Sequence, residues 1–266
     1  MRSFAETIYG SVLEKHGKRL FLDKTPRYTM IVDELYELFP KAKYILLLRN
    51  PLAVLRSELH TYVKGDWPML AKFAPDLLDA PGRIVEARSR LGEAAIEVRY
   101  EDLVTSPEST VRSLCEFLGI EFDKKMLDYS DTPAPKGRMN DPVGIHKYTA
   151  PSPASLDKWK ELGADGQLRH FALQYLAAVG DEIITALGYD AAELRQQIEG
   201  ATVEAKARHL YPWQLAIRTC EQWSFRDEMT SAYLLAAQAS GRLAGIGSML
   251  KVFLERIGGG LGRLSR

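Results

Sequence analysis

Lys43-Tyr44-Ile45-Leu46-Leu47-Leu48 is a stretch of strand length, apolar without a break after its lysine, and it stops at Arg49-Asn50-Pro51. Successive side chains of a strand point to opposite faces, so a run that is apolar at every position predicts a strand covered on both, as in a parallel sheet. Asn is a favoured N-cap and Pro suits the first helical position, so Leu52 onward through Ser57 and Tyr62 reads as a helix starting directly off the strand. The same order recurs at Leu20-Phe21-Leu22, where Asp23-Lys24-Thr25-Pro26 leads into a helix with Ile31, Leu35, Leu38 and Phe39 on one face. It recurs again at Ala95-Ile96-Glu97-Val98-Arg99-Tyr100, followed by a turn through Thr105-Ser106-Pro107-Glu108 and a helix whose apolar stripe holds Val111, Leu114, Cys115 and Leu118. Short strands alternating with helices predict an α/β fold, a parallel β-sheet flanked by helices. Ligands of such sheets collect at the carboxyl ends of strands, beside helix N-termini that favour anions. Asp23, Lys24, Arg49 and Tyr100 all fall at such ends.

After residue 120 the pattern changes. Residues 128 to 155 hold Pro133, Pro135, Pro142, Pro151 and Pro153 with Gly137 and Gly144, a stretch too interrupted for regular structure and long enough to suggest a functional loop. It carries Lys136, Arg138, His146 and Lys147. Ser155-Leu156-Asp157-Lys158-Trp159 then opens a helix, and Gln167 to Leu187 reads as another that ends at Gly188. Residues 190 to 266 read as helical, with a break at Tyr211-Pro212, turns near Gly241 and Gly245, and a flexible glycine-rich tail at Gly258-Gly259-Gly260-Leu261-Gly262. The expected organisation is an α/β domain over 1–190 and a helical C-terminal extension over 191–266.

Composition narrows the function classes. The 266 residues are 46% hydrophobic and 26% charged, which excludes a disordered, collagen-like or disulfide-stapled chain. Thirty-five Lys and Arg balance thirty-five Asp and Glu. No global basic field is present to drive nucleic-acid binding, so any anion must be held locally. Cys115 and Cys220 form no CxxC pair, and Cys115 sits on a core-facing stripe. The five histidines lack metal-ligand spacing, no G-x-S-x-G is present, and Val12 stands where a Walker A motif ending at Gly17-Lys18 needs its first glycine. No apolar stretch approaches the ~18 residues of a membrane span, and Met1-Arg2-Ser3-Phe4-Ala5-Glu6 leads into no apolar signal region, so a cytoplasmic location is expected.

Four segments in this order resemble the sulfotransferases that use 3′-phosphoadenosine 5′-phosphosulfate (PAPS), in particular bacterial members and the Golgi carbohydrate and protein-tyrosine enzymes. They are Leu22-Asp23-Lys24-Thr25-Pro26; Ile45 to Pro51 with Ser57; Val98-Arg99-Tyr100-Glu101-Asp102-Leu103; and Lys147 ahead of Ser155 to Trp159. The resemblance spans about residues 20 to 160 and implies the P-loop-like sulfotransferase fold. It assigns Arg49 and Ser57 to the 3′-phosphate of PAPS, which suits a guanidinium fork and a hydroxyl near a helix N-terminus. It places Lys24 at the phosphosulfate, where a cation neutralises charge building on the leaving phosphate. Lys147 matches the loop lysine that closes over the same group, and Tyr100 an aromatic position near the adenine. Asp23 stands where the glycosaminoglycan enzymes carry a Glu base; as a base or as an ion-pair partner fixing Lys24, it needs to be ionised. His60, one turn after Ser57, is the other candidate base. The implied acceptor is a hydroxyl of a carbohydrate or other small molecule, with no metal.

In one respect the chain departs from this pattern. The family opens with a strand, a loop around the 5′-phosphosulfate and a helix, a unit of about 30 residues, whereas 23 residues precede Lys24. Residues 1 to 19 read as a helix, and the first strand and loop read as missing. Two functions are therefore expected: an active sulfotransferase, or a non-catalytic remnant that binds an adenosine 3′,5′-bisphosphate-like nucleotide or a protein partner.

Overall fold

The computed structural model describes residues 2–130, 148–204 and 209–261, with side chains described through residue 255. In chain order the helices and strands are α1 (Arg2–His16), α2 (Val32–Leu38), β1 (Tyr44–Leu48), α3 (Pro51–Glu58), α4 (Ala80–Leu91), β2 (Ala95–Arg99), α5 (Tyr100–Thr105), α6 (Pro107–Leu118), α7 (Gly166–Val179), α8 (Asp181–Ala186), α9 (Ala191–Gly200), α10 (Trp213–Ile217), α11 (Phe225–Ser240) and α12 (Arg242–Leu261). The fold is α/β, and it divides into two compact units: Met1–Arg49 with Gly82–Ser155, and Asn50–Pro81 with Leu156–Arg266.

The first unit is built on β1 and β2, which pair in parallel from Tyr44 opposite Ala95 to Leu48 opposite Arg99. Leu46 is buried with Ala87 and Leu91 of α4, and Val32, Tyr36, Tyr44 and Ala95 pack against them. The Tyr44 hydroxyl donates to the carbonyls of Leu35 and Phe39 at 3.0 and 3.1 Å, tying β1 to the end of α2. The opposite face of β1 corrects the expectation of two covered faces: Ile45 and Leu47 remain 37% and 55% exposed. The predicted strand Leu20-Phe21-Leu22 is also absent. This stretch is irregular and exposed, because it pairs with neither strand of the sheet and lies between the end of α1 and Pro26. α1 forms over the predicted helical residues without burying any of them. Its Arg2 guanidinium donates to the carbonyls of Glu37 and Leu38, both at 2.6 Å, satisfying the open end of α2. The predicted turn after β2 is the short helix α5, with Glu101 and Asp102 in the first turn, where the helix dipole favours them. α6 starts at Pro107 as read and buries Cys115, whose thiol lies 3.6 Å from the sulfur of Met126.

The second unit holds the larger core. Asn50 caps α3 by accepting from the Leu52 amide at 2.9 Å, Pro51 takes the first position, and Leu52 and Leu55 are fully buried. They join Trp159 and Leu162 of the 3-10 turn Lys158–Gly163, Phe171, Tyr175 and Leu176 of α7, Ile198 of α9 and Trp213 of α10. The helix expected to open at Ser155 is instead two 3-10 turns, Pro153–Ser155 and Lys158–Gly163. The helix expected over Gln167 to Leu187 breaks at Gly180, whose φ of 87° lies where a side chain is strained, and α8 begins at Asp181. Arg169 binds the carbonyls of Ile198, Glu199 and Ala201, so the open end of α9 is satisfied from α7. Residues on both sides of position 190 thus share one unit. A turn at Gly241 joins α11 to α12, and α12 continues through Gly245 and through Gly258–Gly260, where a turn and a flexible tail were expected.

Candidate functional site

Parallel pairing decides what the strands deliver. With Leu48 opposite Arg99, the carboxyl ends of β1 and β2 emerge side by side, and the next residues, Arg49 and Tyr100, follow them. The Arg49 guanidinium lies over the Tyr100 ring, 4.2 Å from its centroid. The electron-rich ring face holds the cation without using any of its N–H donors. The Nε atom of Arg49 is buried and has no hydrogen-bond partner among the described residues. A buried donor left unpaired costs about 1–3 kcal/mol, and an anion on the guanidinium fork would relieve it. Tyr100 is positioned at its other end by a hydroxyl–hydroxyl hydrogen bond of 2.9 Å to Ser155.

Asp23 and Lys24 lie in the same unit, in the irregular stretch before Pro26, and both are exposed. They form no ion pair with each other. Asp23 is held by two phenols: its Oδ2 accepts from the Tyr9 hydroxyl at 2.9 Å and from the Tyr28 hydroxyl at 2.7 Å. The hydrogen bond to Asp23, aided by burial, pushes Tyr9 up to about 12, and the same bond raises Tyr28. Both phenols therefore stay protonated donors at neutral pH.

In the second unit Ser57 is half-buried on α3. His60 is exposed, its Nδ1 3.2 Å from the Arg56 carbonyl, one helical turn back. Lys147 lies outside the described residues. The first unit therefore brings Arg49 to Tyr100 and leaves Asp23 apart from Lys24. Sequence reasoning missed Tyr9, Tyr28 and Ser155. Tyr28 was within reach, five positions past Asp23 across a Pro turn; nothing local marks Tyr9, fourteen positions upstream. Among the described residues no group of His, Cys, Asp and Glu is arranged to hold a metal ion, and no helix is long and apolar enough to cross a membrane.

Comparison with known proteins bears on this geometry. Residues 1–124 match the Sulfotransferase family. Nodulation protein NoeE of Sinorhizobium fredii is 34% identical over 139 residues, covering 45% of this chain and 33% of that protein. Carbohydrate sulfotransferase 1 of Danio rerio is 24% identical over 180 residues, covering 60% of this chain and 41% of that protein. Among solved structures, the sulfotransferase domain from the Synechococcus PCC 7002 olefin synthase aligns with a TM-score of 0.47 and 31% identity over 58% of this chain and 56% of that one. The chain spans less than half the length of these two curated relatives. Residues 1–124, a little under half of the chain, are thus similar to the sulfotransferase family.

Proposed function

We propose that this chain moves a sulfuryl group from PAPS to a hydroxyl of a carbohydrate or other small acceptor. The observation that carries the reading is Arg49: a cation at paired strand ends, stacked on Tyr100, with a buried donor that no described residue uses. A planar fork whose Nε–H no described residue uses is suited to phosphate oxygens, and the stacking on Tyr100 holds that fork in one orientation. The residues fit the nucleotide in that sense. In this reading Arg49 binds the 3′-phosphate and Tyr100 contributes an aromatic wall toward the adenine, while the family resemblance assigns Ser57 to the same phosphate and Lys147 to the phosphosulfate.

PAPS supplies the activated sulfuryl group. Asp23 takes the acceptor's proton as the acceptor oxygen bonds to sulfur. The bond from sulfur to the bridging oxygen breaks with its electron pair passing to the phosphate, and Lys24 offsets the charge that builds there. The carbohydrate preference rests on the resemblance to carbohydrate sulfotransferases such as the Danio rerio relative.

Calorimetry with adenosine 3′,5′-bisphosphate tests the site, and transfer from radiolabelled PAPS to a panel of hydroxylated acceptors tests the reaction. Arg49→Ala is expected to weaken nucleotide binding roughly thirtyfold, the equivalent of about 2 kcal/mol for a charged hydrogen-bonding group. Arg49→Lys should restore little of it, since an ammonium is not a fork. Unchanged binding would overturn the assignment of Arg49. Binding without transfer to any acceptor would replace the enzyme with a nucleotide-binding chain.

A further inference from the structure

Asp23 is exposed, yet its carboxylate is not left to rotate. Two hydroxyls converge on a single oxygen, Oδ2, from elements on either side of it in sequence: Tyr9 from α1 and Tyr28 from the 3-10 turn Pro26–Ile31. Oδ1 accepts no hydrogen bond among the described residues. A carboxylate offers about four lone-pair sites over its two oxygens. Placing both donors on one oxygen fixes the plane of the group and leaves the other oxygen open.

The donors are themselves held. The Tyr9 ring stacks on Phe21, with centroids 4.3 Å apart and planes 20° apart, and it also meets Phe39 at 5.9 Å. The Tyr28 amide donates to the Thr25 carbonyl at 3.1 Å, closing the turn that carries its side chain. Lys24 is the charged residue adjacent to Asp23, and the absence of an ion pair between them leaves the lysine available to another anion.

We propose that Tyr9 and Tyr28 are positioning residues, which occupy Oδ2 of Asp23 so that Oδ1 is presented to the acceptor hydroxyl. This inference rests on the sulfotransferase reading, with Asp23 as the base. The phenols touch neither acceptor nor nucleotide; they act through the carboxylate. They keep it pointed. A base that must meet a hydroxyl within hydrogen-bond reach gains most from being fixed before the acceptor arrives.

The test uses the full chain with Tyr9→Phe, Tyr28→Phe, the double variant and Asp23→Asn. Phenylalanine keeps the stacked ring and removes only the donor. Each single variant should lower kcat roughly tenfold, and the double variant more, with KM for PAPS unchanged, because orientation of the base is lost while nucleotide contacts remain. A fall in kcat with KM unchanged is the split that separates a positioning role from a merely structural one. Calorimetry with adenosine 3′,5′-bisphosphate should give the wild-type affinity for the double variant, a readout that needs no turnover. Asp23→Asn should abolish transfer. A wild-type chain that transfers sulfuryl normally, beside a double variant with unchanged kcat, would overturn this inference alone. A wild-type chain that binds nucleotide and transfers nothing would overturn the sulfotransferase reading and the base together.

Discussion

Phe171, in the unit of residues 50–81 and 156–266, is fully buried, with Trp67 and Trp213 meeting its ring edge-on at 5.3 and 5.7 Å. In the unit of residues 1–49 and 82–155, Phe4 is 72% exposed, and the cluster around β1 consists of Leu46, Ala87 and Leu91. One unit is held by a large aromatic and aliphatic core. The other relies more on directional contacts near its surface: Arg2 on the end of α2, Tyr44 on the same helix, Arg88 paired with Glu97, and the two phenols on Asp23. Among the candidate residues within the described chain, Asp23, Lys24, Arg49 and Tyr100 sit in this second kind of environment, whereas Ser57 and His60 belong to the unit with the larger core. Groups that must reach a ligand cannot be packed out of its way, so a site draws on the less densely packed part of a fold, and a neighbouring core supplies stability.

All four tryptophans, Trp67, Trp159, Trp213 and Trp223, lie in the core-rich unit, so their fluorescence follows its unfolding selectively. Phe171→Ala should have the largest effect there, about 3–5 kcal/mol in urea unfolding, from lost apolar burial and the cavity left behind. A loss under about 1 kcal/mol would mean that this core is loose and the contrast between the units false. Gly163→Ala should come next. A methyl at Gly163 would lie 2.6 Å from the Ala201 Cβ and 2.8 Å from the Ile198 carbonyl oxygen, so the 3-10 turn and the end of α9 would have to move apart. The expected cost is about 1–3 kcal/mol, typical of overpacking. A neutral result would show that the turn can slide on α9 without penalty.

Much of the framework was legible because its signals are local. Asn50-Pro51 announces a helix start through one side chain and one ring, and the apolar run at 44–48 and the alternating stretch at 95–99 announce strands. Arg49 and Tyr100 could be placed together because parallel pairing forces neighbouring strand ends to coincide. The break at Gly180 was readable, since a glycine followed by Asp181 and Glu182 is a stop signal followed by a dipole-favoured start, but the long apolar periodicity across it concealed the turn. Other features were beyond local reading. Whether Leu20 to Leu22 forms a strand depends on a pairing partner, and which face of β1 is covered depends on where α4 packs. The grip of Tyr9 on Asp23 depends on how α1 docks, which Arg2 and Phe39 decide through contacts some thirty residues away along the chain.

The smallest effect should come from Phe4→Ala, and it tests the sparser unit directly. Phe4, Ile8 and Val12 recur every four residues along α1 and are 72%, 45% and 39% exposed. Residues four apart are neighbours on a helix surface, a spacing that stabilises by about 0.2–0.5 kcal/mol per pair. α1 is held instead by the Arg2 guanidinium on the Glu37 and Leu38 carbonyls and by the Tyr9 ring between Phe21 and Phe39, none of which involves Phe4. Truncating Phe4 should therefore change stability by under about 0.5 kcal/mol, as expected for a surface site. The measurement needs a probe outside the tryptophan-bearing unit, such as hydrogen exchange of the α1 and α2 amides. A loss above about 2 kcal/mol would have the magnitude of a buried aromatic, and it would mean that in solution this face of α1 is covered and the contrast with Phe171 is one of partners rather than of packing.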